Sequence, residues 1–266
     1  DDFQISLQDL ARTSHPNLIK ILDWGSGEIS YIVTEFLAGG DLKAMLQQDA
    51  SLSVAQITLI MMEILKGTSF LHERGKVHGG LKPENVIFSL NGDLKLSDTG
   101  MGSVSAKYFS SELVTEGPYV SPELSQGGLL SPAADVYAIA AIFKELIHTK
   151  LPESKSTAET QEIDSELLKE LEAVFASALS AKASERPTAN ALLKITSEVN
   201  IKNAKPALLP VQNSLNLNFL EAFDDKPEAI AVGDKSNFKA RLKRATLYLK
   251  SHLSRWLWLL VMAILI

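Results

Sequence analysis

The sequence predicts an α+β fold in which a small strand-containing start precedes a mostly helical body. Two apolar, β-branched runs lie near the beginning, at 18–24 and 29–36. Two shorter apolar runs, 86–88 and 94–96, flank Asn91-Gly92, a dipeptide that favours a tight hairpin. Most of the chain from residue 53 onward instead repeats apolar residues at helical spacing. A strand-containing start followed by a mostly helical body is typical of the α+β class.

The elements before residue 50 are predicted from the proline and glycine residues that end them. The chain begins with the end of a helix, because two leucines precede His15-Pro16-Asn17 and proline stops a helix. The segment Gly25-Ser26-Gly27-Glu28 joins the first two strands and is typical of a hairpin. Gly39-Gly40 ends the second strand, so a short helix is predicted to begin near Asp41.

The helical body is predicted from its caps and apolar stripes. A long helix is expected to begin at Ser53, a residue type suited to the N-cap, and to end at Gly75, which suits the C′ position. Ser131-Pro132 starts a helix whose run 136–147 is apolar on nearly every face, which favours the centre of a domain. Two further helical stripes follow, at 167–179 and 189–195.

Composition excludes several classes of protein. Of the 266 residues, 45% are hydrophobic and 22% are charged, as in ordinary globular chains. The formal net charge of -6 leaves no chain-wide basic field, so nucleic acid is not an expected partner. The absence of cysteine excludes disulfides, zinc-cysteine sites and thiol catalysis.

The C-terminal region predicts a membrane anchor. Residues 200–233 contain three prolines and weak periodicity, so they are interpreted as a linker. Residues 234–255 carry seven lysines and arginines against one acid, and residues 256–266 are all apolar. Because a span needs about 20 such residues, we expect the start of a single transmembrane helix with the preceding domain on the cytoplasmic side. The alternative is a hydrophobic core helix with a solvated basic face.

A loop asparagine and a loop aspartate carry the chemistry. Asn85 and Asp98 lie thirteen residues apart, at the two ends of the Asn-Gly hairpin. Two oxygen ligands placed in this way can share a Mg²⁺ and leave its other coordination positions to phosphates and water. Lys82 is close enough in sequence to neutralise a transferring phosphoryl group.

At this point the chain resembles the protein kinase family, specifically the C-lobe of a serine/threonine kinase. The resemblance runs from roughly residue 8 to residue 193 and includes an ordered set of motifs. They are His15-Pro16-Asn17, Tyr31 to Leu37, Gly39-Gly40-Asp41-Leu42, His78 to Asn85, Asp98-Thr99-Gly100, Ser121-Pro122-Glu123, Asp135 and Arg186-Pro187. It implies a kinase-like domain at 1–199, with a truncated N-lobe at 1–37 and a C-lobe at 38–199.

The resemblance also implies site residues. Backbone groups of Glu35 and Leu37 would meet adenine, and Asp41 would meet the ribose. The further expected contacts with the cofactors, ATP and Mg²⁺, are Ile87 and Asp98 for the nucleotide, and Asn85 and Asp98 for the metal. Lys82 and Asn85 are the matching catalytic-loop residues. Arg186 is expected to form a structural ion pair with Glu123.

The catalytic loop departs from the family pattern. Active kinases read His-Arg-Asp where this chain reads His78-Gly79-Gly80, and Gly80 has no side chain to orient a hydroxyl or accept its proton. Gly79 removes the arginine that would hold a phosphorylated loop. Ser6 stands where the glutamate partner of the strand lysine is expected, and Glu116 or its neighbour Thr115 stands at the threonine position.

These departures favour a membrane-anchored pseudokinase that acts in signalling by binding a protein partner and ATP. The alternative is an active or weakly active transmembrane serine/threonine kinase that transfers the ATP γ-phosphate to protein serine or threonine. A third hypothesis is a scaffold in which ATP shifts the population of a partner-binding conformation.

Overall fold

The computed structural model describes residues 8–25, 31–49, 51–100, 116–151 and 158–202. Strands β1 (Ile21–Gly25) and β2 (Tyr31–Thr34) pair in a two-stranded sheet. Up to Val33 these strands form one compact unit, and the other described elements form a second unit.

The second unit contains most of the helices and one hairpin. Its elements are α1 (residues 8–11), α2 (Leu42–Leu46), α3 (Val54–His72), β3 (Val86–Phe88), β4 (Leu94–Leu96), α4 (Pro122–Ser125), α5 (Pro132–Lys150), α6 (Ala158–Ala178) and α7 (Ala189–Lys202). Few strands and many helices confirm the predicted α+β class. Helix α7 continues to Lys202, three residues beyond the expected domain end at residue 199.

Helix α3 has the two caps that the sequence predicts. Ser53 Oγ accepts a hydrogen bond from the Gln56 N–H (3.2 Å), and Gln56 Oε1 accepts one from the Ser53 N–H (2.9 Å). This reciprocal pair is a capping box. At the other end Gly75 has φ +67°, and the Lys76 N–H donates to the Leu71 carbonyl at 3.0 Å. The left-handed glycine and this bond are the features of a Schellman ending, as expected for Gly75.

Helix α3 lies at the centre of the helical unit. It packs against α5, α6, α7 and β4. Among the described residues, α3 is the one helix with the length and apolar composition of a membrane span, but 67% of that window is buried inside the protein. Its completely buried residues include Ile60, Met61, Ile64, Leu65 and Leu71. Burial of this extent identifies α3 as a core helix.

Helix α5 is also central. Ser131 is its N-cap residue and Pro132 occupies the first turn, as predicted. Ile139, Ala140 and Ile142 are fully buried. The α5–α6 contact includes the stacked rings of Phe143 and Phe175, whose centroids are 4.3 Å apart. The apolar residues on nearly every face of α5 are therefore explained by its burial in the core.

The β3–β4 hairpin has the predicted turn and a defined register. Gly92 takes φ +89°, which an L side chain rarely adopts. The antiparallel pairs are Val86 with Leu96, Ile87 with Lys95 and Phe88 with Leu94. Side chains alternate along the strands, so the first and third pairs are buried while Ile87 and Lys95 are half-buried on the opposite face.

The hairpin is joined by backbone hydrogen bonds to the hinge segment, residues 35–40, which follows β2. The Gly39 N–H donates to the Phe88 carbonyl at 2.8 Å, and the Phe88 N–H donates to the Gly40 carbonyl at 2.9 Å. Gly40 has φ +77°, a conformation that suits glycine. The hinge segment and the hairpin therefore form one continuous backbone framework.

Some predictions fall on residues that the structure does not describe. These are Ser6, the turn at 26–28, Thr115, most of the linker from 203 to 233, the basic segment 234–255 and the apolar segment 256–266. They remain predictions from the sequence.

Candidate active site

A buried aspartate anchors the loop 78–85. Asp135 lies in the first turn of α5 and is 2% exposed. Its carboxylate accepts hydrogen bonds from the backbone N–H groups of His78 (2.8 Å) and Gly79 (2.9 Å), and His72 Nε2 lies 2.9 Å from the same group. Charge-assisted bonds of this kind are stronger than neutral ones. They fix the start of the loop against the helical core.

His78 is a core residue. Its side chain is fully buried. Burial lowers the pKa of His78, although Asp135 and Asp98 oppose this effect, so the imidazole is neutral at pH 7. The His78 carbonyl accepts the N–H of Gly100 at 3.0 Å, which joins the loop to the segment after β4.

Gly79 and Gly80 differ in their backbone requirements. Gly79 takes φ +74°, where glycine is favoured over other residues. Gly80 is outside this region, and a Cβ added to it would meet only Asn85 Nδ2, at 3.8 Å. The fold therefore leaves room for a side chain at Gly80, and the local backbone does not require a glycine there.

The structure brings Asn85 and Asp98 to one end of the hairpin. Asn85 is 7% exposed, and its Nδ2 donates to the Gly80 carbonyl at 2.8 Å, so Oδ1 is the atom of this side chain that could ligate a metal. The Asn85 carbonyl accepts the N–H of Ser97, the residue before Asp98, at 2.9 Å. Asp98 is exposed and takes φ +54°, an uncommon conformation for a residue other than glycine.

These two residues suit a magnesium ion by the chemistry of their donors. An amide oxygen and a carboxylate are hard oxygen ligands, and Mg²⁺ usually takes few protein ligands together with phosphate and water. Within the described ranges, no group of three or more His, Cys, Asp or Glu side chains is placed to hold a metal. The assignment of Asn85 and Asp98 as ligands of a metal that arrives with phosphates stays a prediction from the sequence.

Lys82 is available to an anionic ligand. It is exposed and extended, immediately before the 3₁₀ turn Pro83–Asn85. Among the residues that the structure describes, no carboxylate lies within ion-pair distance of its ammonium group. Glu84, in the same turn, is also exposed.

The predicted nucleotide-binding residues lie along the hinge segment and the hairpin. Asp41 pairs with Ile87 in an isolated β-bridge, so these two residues are neighbours. Asp41 Oδ1 accepts the Ala44 N–H at 2.7 Å and caps α2, so one of its two carboxylate oxygens is occupied. Leu37 is half-buried in the hinge segment. The Glu35 N–H donates to the Lys20 carbonyl at 2.9 Å, so the group of Glu35 that can serve adenine is its carbonyl oxygen.

Lys95 forms an ion pair with Glu35 that no motif in the sequence indicates. Lys95 Nζ lies 2.6 Å from Glu35 Oε1, on the face of the hairpin that carries Ile87. Burial alone would raise the pKa of the Glu35 carboxyl, but hydrogen bonds from Lys95 and from the Lys20 backbone lower it overall. The only signal in the sequence is the alternation Leu94-Lys95-Leu96, which places Lys95 opposite the core face without naming its partner.

Arg186 and Glu123 form the expected ion pair. Arg186 Nη1 and Nη2 each lie 2.7 Å from a different oxygen of Glu123, which is a bidentate arrangement. Arg186 also donates to the carbonyls of Ser180 (2.8 Å) and Ala133 (2.9 Å). Its side chain is 0% exposed and that of Glu123 is 24% exposed. Hydrogen bonding from Arg186 lowers the pKa of Glu123 to about 2.

Comparison with known proteins adds a separate line of evidence. The family described as "Protein kinase domain" matches residues 5–203. Over 158 residues the chain is 35% identical to the probable serine/threonine-protein kinase PknB of Lactococcus lactis. This match covers 56% of this chain and 25% of the relative.

Two further relatives are also bacterial. The serine/threonine-protein kinase PrkC of Bacillus subtilis is 30% identical over 155 residues, which cover 56% of this chain and 24% of the relative. The serine/threonine-protein kinase PknL of Mycobacterium tuberculosis is 30% identical over 154 residues, which cover 56% of this chain and 39% of the relative. The chain thus spans less than half the length of the relatives that it matches.

Proposed function

Because this chain belongs to the protein kinase family, we propose that it is a serine/threonine kinase-like domain that acts as a pseudokinase, by binding rather than by phosphotransfer. The observation that carries this proposal is Gly80. The family mechanism needs a carboxylate at this position to orient the acceptor hydroxyl and to take its proton. Gly80 supplies neither function.

Nucleotide binding is part of the proposal. Asn85 and Asp98 lie at the same end of the hairpin, and the exposed Lys82 accepts the Asn85 N–H through its backbone carbonyl. When bound with ATP, Mg²⁺ would neutralise charge on the phosphates. Asp41, Ile87 and the Glu35 carbonyl would hold the nucleoside end. The domain would then present a protein partner with a surface that depends on ATP.

A weakly active serine/threonine kinase is the second candidate. It is favoured by the intact anchoring of the loop, since Asp135 holds His78 and Gly79 while Asn85 holds the Gly80 carbonyl. Loss of a general base costs about 10²–10⁴-fold in rate, while positioning and electrostatics supply much of phosphoryl transfer. A slow transfer of the ATP γ-phosphate to protein serine or threonine is therefore compatible with the site.

A phosphotransfer assay separates these two candidates. The full-length natural protein is incubated with Mg-ATP and a protein acceptor, and the Asp98→Ala variant is the control for metal-dependent transfer. We expect no phosphate incorporation above background in either protein, because the carboxylate is missing at Gly80.

An Asp93→Ala variant is the matched control, because Asp93 is an acid of the same hairpin that caps the turn through Ser89. Incorporation that persists in Asp93→Ala but disappears in Asp98→Ala would establish the weakly active kinase and refute the pseudokinase.

We propose in addition that the protein is anchored in the membrane by a single helix, with the kinase-like domain in the cytoplasm. Residues 256–266 are apolar without interruption, and the seven basic residues of segment 234–255 precede them. Apolar segments partition into the bilayer, and lysine and arginine are retained on the cytoplasmic side.

Membrane extraction tests the anchor. We expect the full-length protein to stay in the membrane fraction after alkaline carbonate washing, and we expect Leu259→Arg combined with Leu260→Arg to release it, because arginine is costly in the hydrocarbon core. The same double change at Leu208 and Leu209, in the predicted linker, should leave the protein in the membrane. Release of the native protein by the carbonate wash would contradict the anchor.

A further inference from the structure

The ion pair between Glu35 and Lys95 joins two parts of the nucleotide site that are far apart in the sequence. The geometry points to this pair as a positioning device for the adenine end of the site, a role that rests on the proposed nucleotide binding. Glu35 lies in the hinge segment and Lys95 lies on β4. Neither side chain touches the nucleotide in this proposal; the pair acts through the backbone of Glu35.

Glu35 is held at three points. Its Oε1 accepts hydrogen bonds from Lys95 Nζ (2.6 Å) and from the Lys20 N–H (2.7 Å), and its own N–H donates to the Lys20 carbonyl (2.9 Å). Side chain and backbone of one residue are thus fixed together. The Cα of Glu35 and the peptide plane before it are held by these bonds, so rotation about ψ of Glu35 is the one local freedom left to its carbonyl, the group assigned to adenine.

Lys95 connects the hinge segment to the rest of the site. It is the cross-strand partner of Ile87 in the register of the hairpin, so both side chains lie on the same face. Ile87 in turn pairs with Asp41 through its backbone. One residue after Lys95 the strand ends, and Asp98 follows two residues later. A single lysine therefore links the proposed adenine, ribose and metal positions.

The pair differs from an ordinary surface ion pair. The side chains of Lys95 and Glu35 are 20% and 26% exposed, whereas those of Lys182 and Glu185 are 76% and 54% exposed. Partial burial reduces screening by solvent, and packing of the long side chains lowers the entropy lost when the contact forms. The bond from the Lys20 backbone adds a third, directional constraint.

Titration of separate parts of the nucleotide tests the positioning role. Affinities of the full-length protein for ATP, adenosine and inorganic tripolyphosphate are measured by calorimetry in the presence of Mg²⁺. We expect Lys95→Met to lower the affinities for ATP and adenosine about tenfold, as for loss of one charge-assisted hydrogen bond. The affinity for tripolyphosphate should not change. Lys95→Arg should restore the affinity for adenosine, and Lys182→Met should match the native protein with all three ligands.

The outcomes separate this inference from the proposed function. If the native protein binds ATP and Lys95→Met binds it equally well, the positioning role is refuted while nucleotide binding stands. Equal losses of affinity for adenosine and for tripolyphosphate would also refute it, because they would show a general structural effect. If the native protein binds neither ATP nor adenosine, the nucleotide-binding proposal and the positioning role both fail. Should Lys95→Met fail to fold in a thermal melt, Glu35→Gln decides the question by the same criteria.

Discussion

Replacement of Gly80 by aspartate is expected to raise phosphotransfer from Mg-ATP by about 10²–10⁴-fold over the native protein. The added carboxylate would orient the acceptor hydroxyl and take its proton, which is the role missing from this chain. The local structure tolerates the change. Gly80 does not have a left-handed backbone, and a Cβ there has Asn85 Nδ2, at 3.8 Å, as its nearest contact.

The gain should depend on the charge of the new side chain and on the proposed metal ligand Asp98. Gly80→Asn has nearly the same shape as Gly80→Asp but no carboxylate, so it should stay at background. Combining Gly80→Asp with Asp98→Ala should remove the gain, because the metal side of the site is then lost. The measurement is phosphate incorporation into a protein acceptor by the full-length protein.

Two results would contradict this prediction. One is a native rate equal to that of Gly80→Asp, which would mean that the chain manages without the carboxylate. The other is a folded Gly80→Asp variant that binds Mg-ATP but remains inactive. The departures at Gly79 and Ser6 would then limit the chemistry in addition to Gly80.

Arg186→Met is expected to lower the free energy of unfolding by about 3–5 kcal/mol, the usual cost of removing one partner of a buried ion pair. The variant leaves the Glu123 carboxylate without its bidentate partner. It also removes the donors to the carbonyls of Ser180 and Ala133. Urea denaturation at pH 7 measures the difference.

Lys182→Met is the matched control for this experiment. Lys182 lies four residues before Arg186 and pairs with Glu185 at 3.0 Å, but both side chains are exposed. Exposed pairs contribute about 0–1 kcal/mol. If Arg186→Met lowers the free energy of unfolding no more than Lys182→Met does, burial of the Arg186 pair adds no stability.

The same ion pair makes stability depend on pH. The pKa of Glu123 is lowered from 4.5 to about 2 by hydrogen bonding from Arg186, so the folded state binds its proton more weakly than the unfolded state. The corresponding stabilisation, about 3 kcal/mol, is fully present above pH 4.5 and is lost as the pH falls towards 2. The difference between the native protein and Arg186→Met should therefore shrink over this interval. A difference that stays constant down to pH 2 would contradict the assignment to Glu123.

Local features of the fold are predictable because their physical causes are local. The capping box at Ser53 and Gln56 depends on residues three positions apart, and the ending at Gly75 depends on one left-handed residue. The Asn91-Gly92 turn is predictable for the same reason. The end of α7 is not: the apolar stripe fades near Val199, whereas the helix continues to Lys202, because backbone hydrogen bonds can extend beyond the last buried side chain.

The candidate site is predictable as a set of residues but not as a set of contacts. Asn85, Asp98 and Lys82 are recognised by order and spacing, and the register of the hairpin explains why the first two lie at the same end of it. The contact between Glu35 and Lys95 spans 60 positions, and that between Asp135 and His78 spans 57. Neither contact is predictable from a pattern along the chain, because residues this far apart in sequence have no fixed spacing that would indicate their contact.

The sequence by itself determines the family, the cap and turn positions, and the loss of the carboxylate at Gly80, since each is written in residue identity or short spacing. Only the tertiary structure shows that Asp135 anchors the loop 78–85 and that space remains beside Gly80. It also shows that Lys95 binds Glu35 of the hinge segment. These are properties of packing between distant segments. Their energies depend on burial and on distances that arise only when α5, the hairpin and the hinge segment come together.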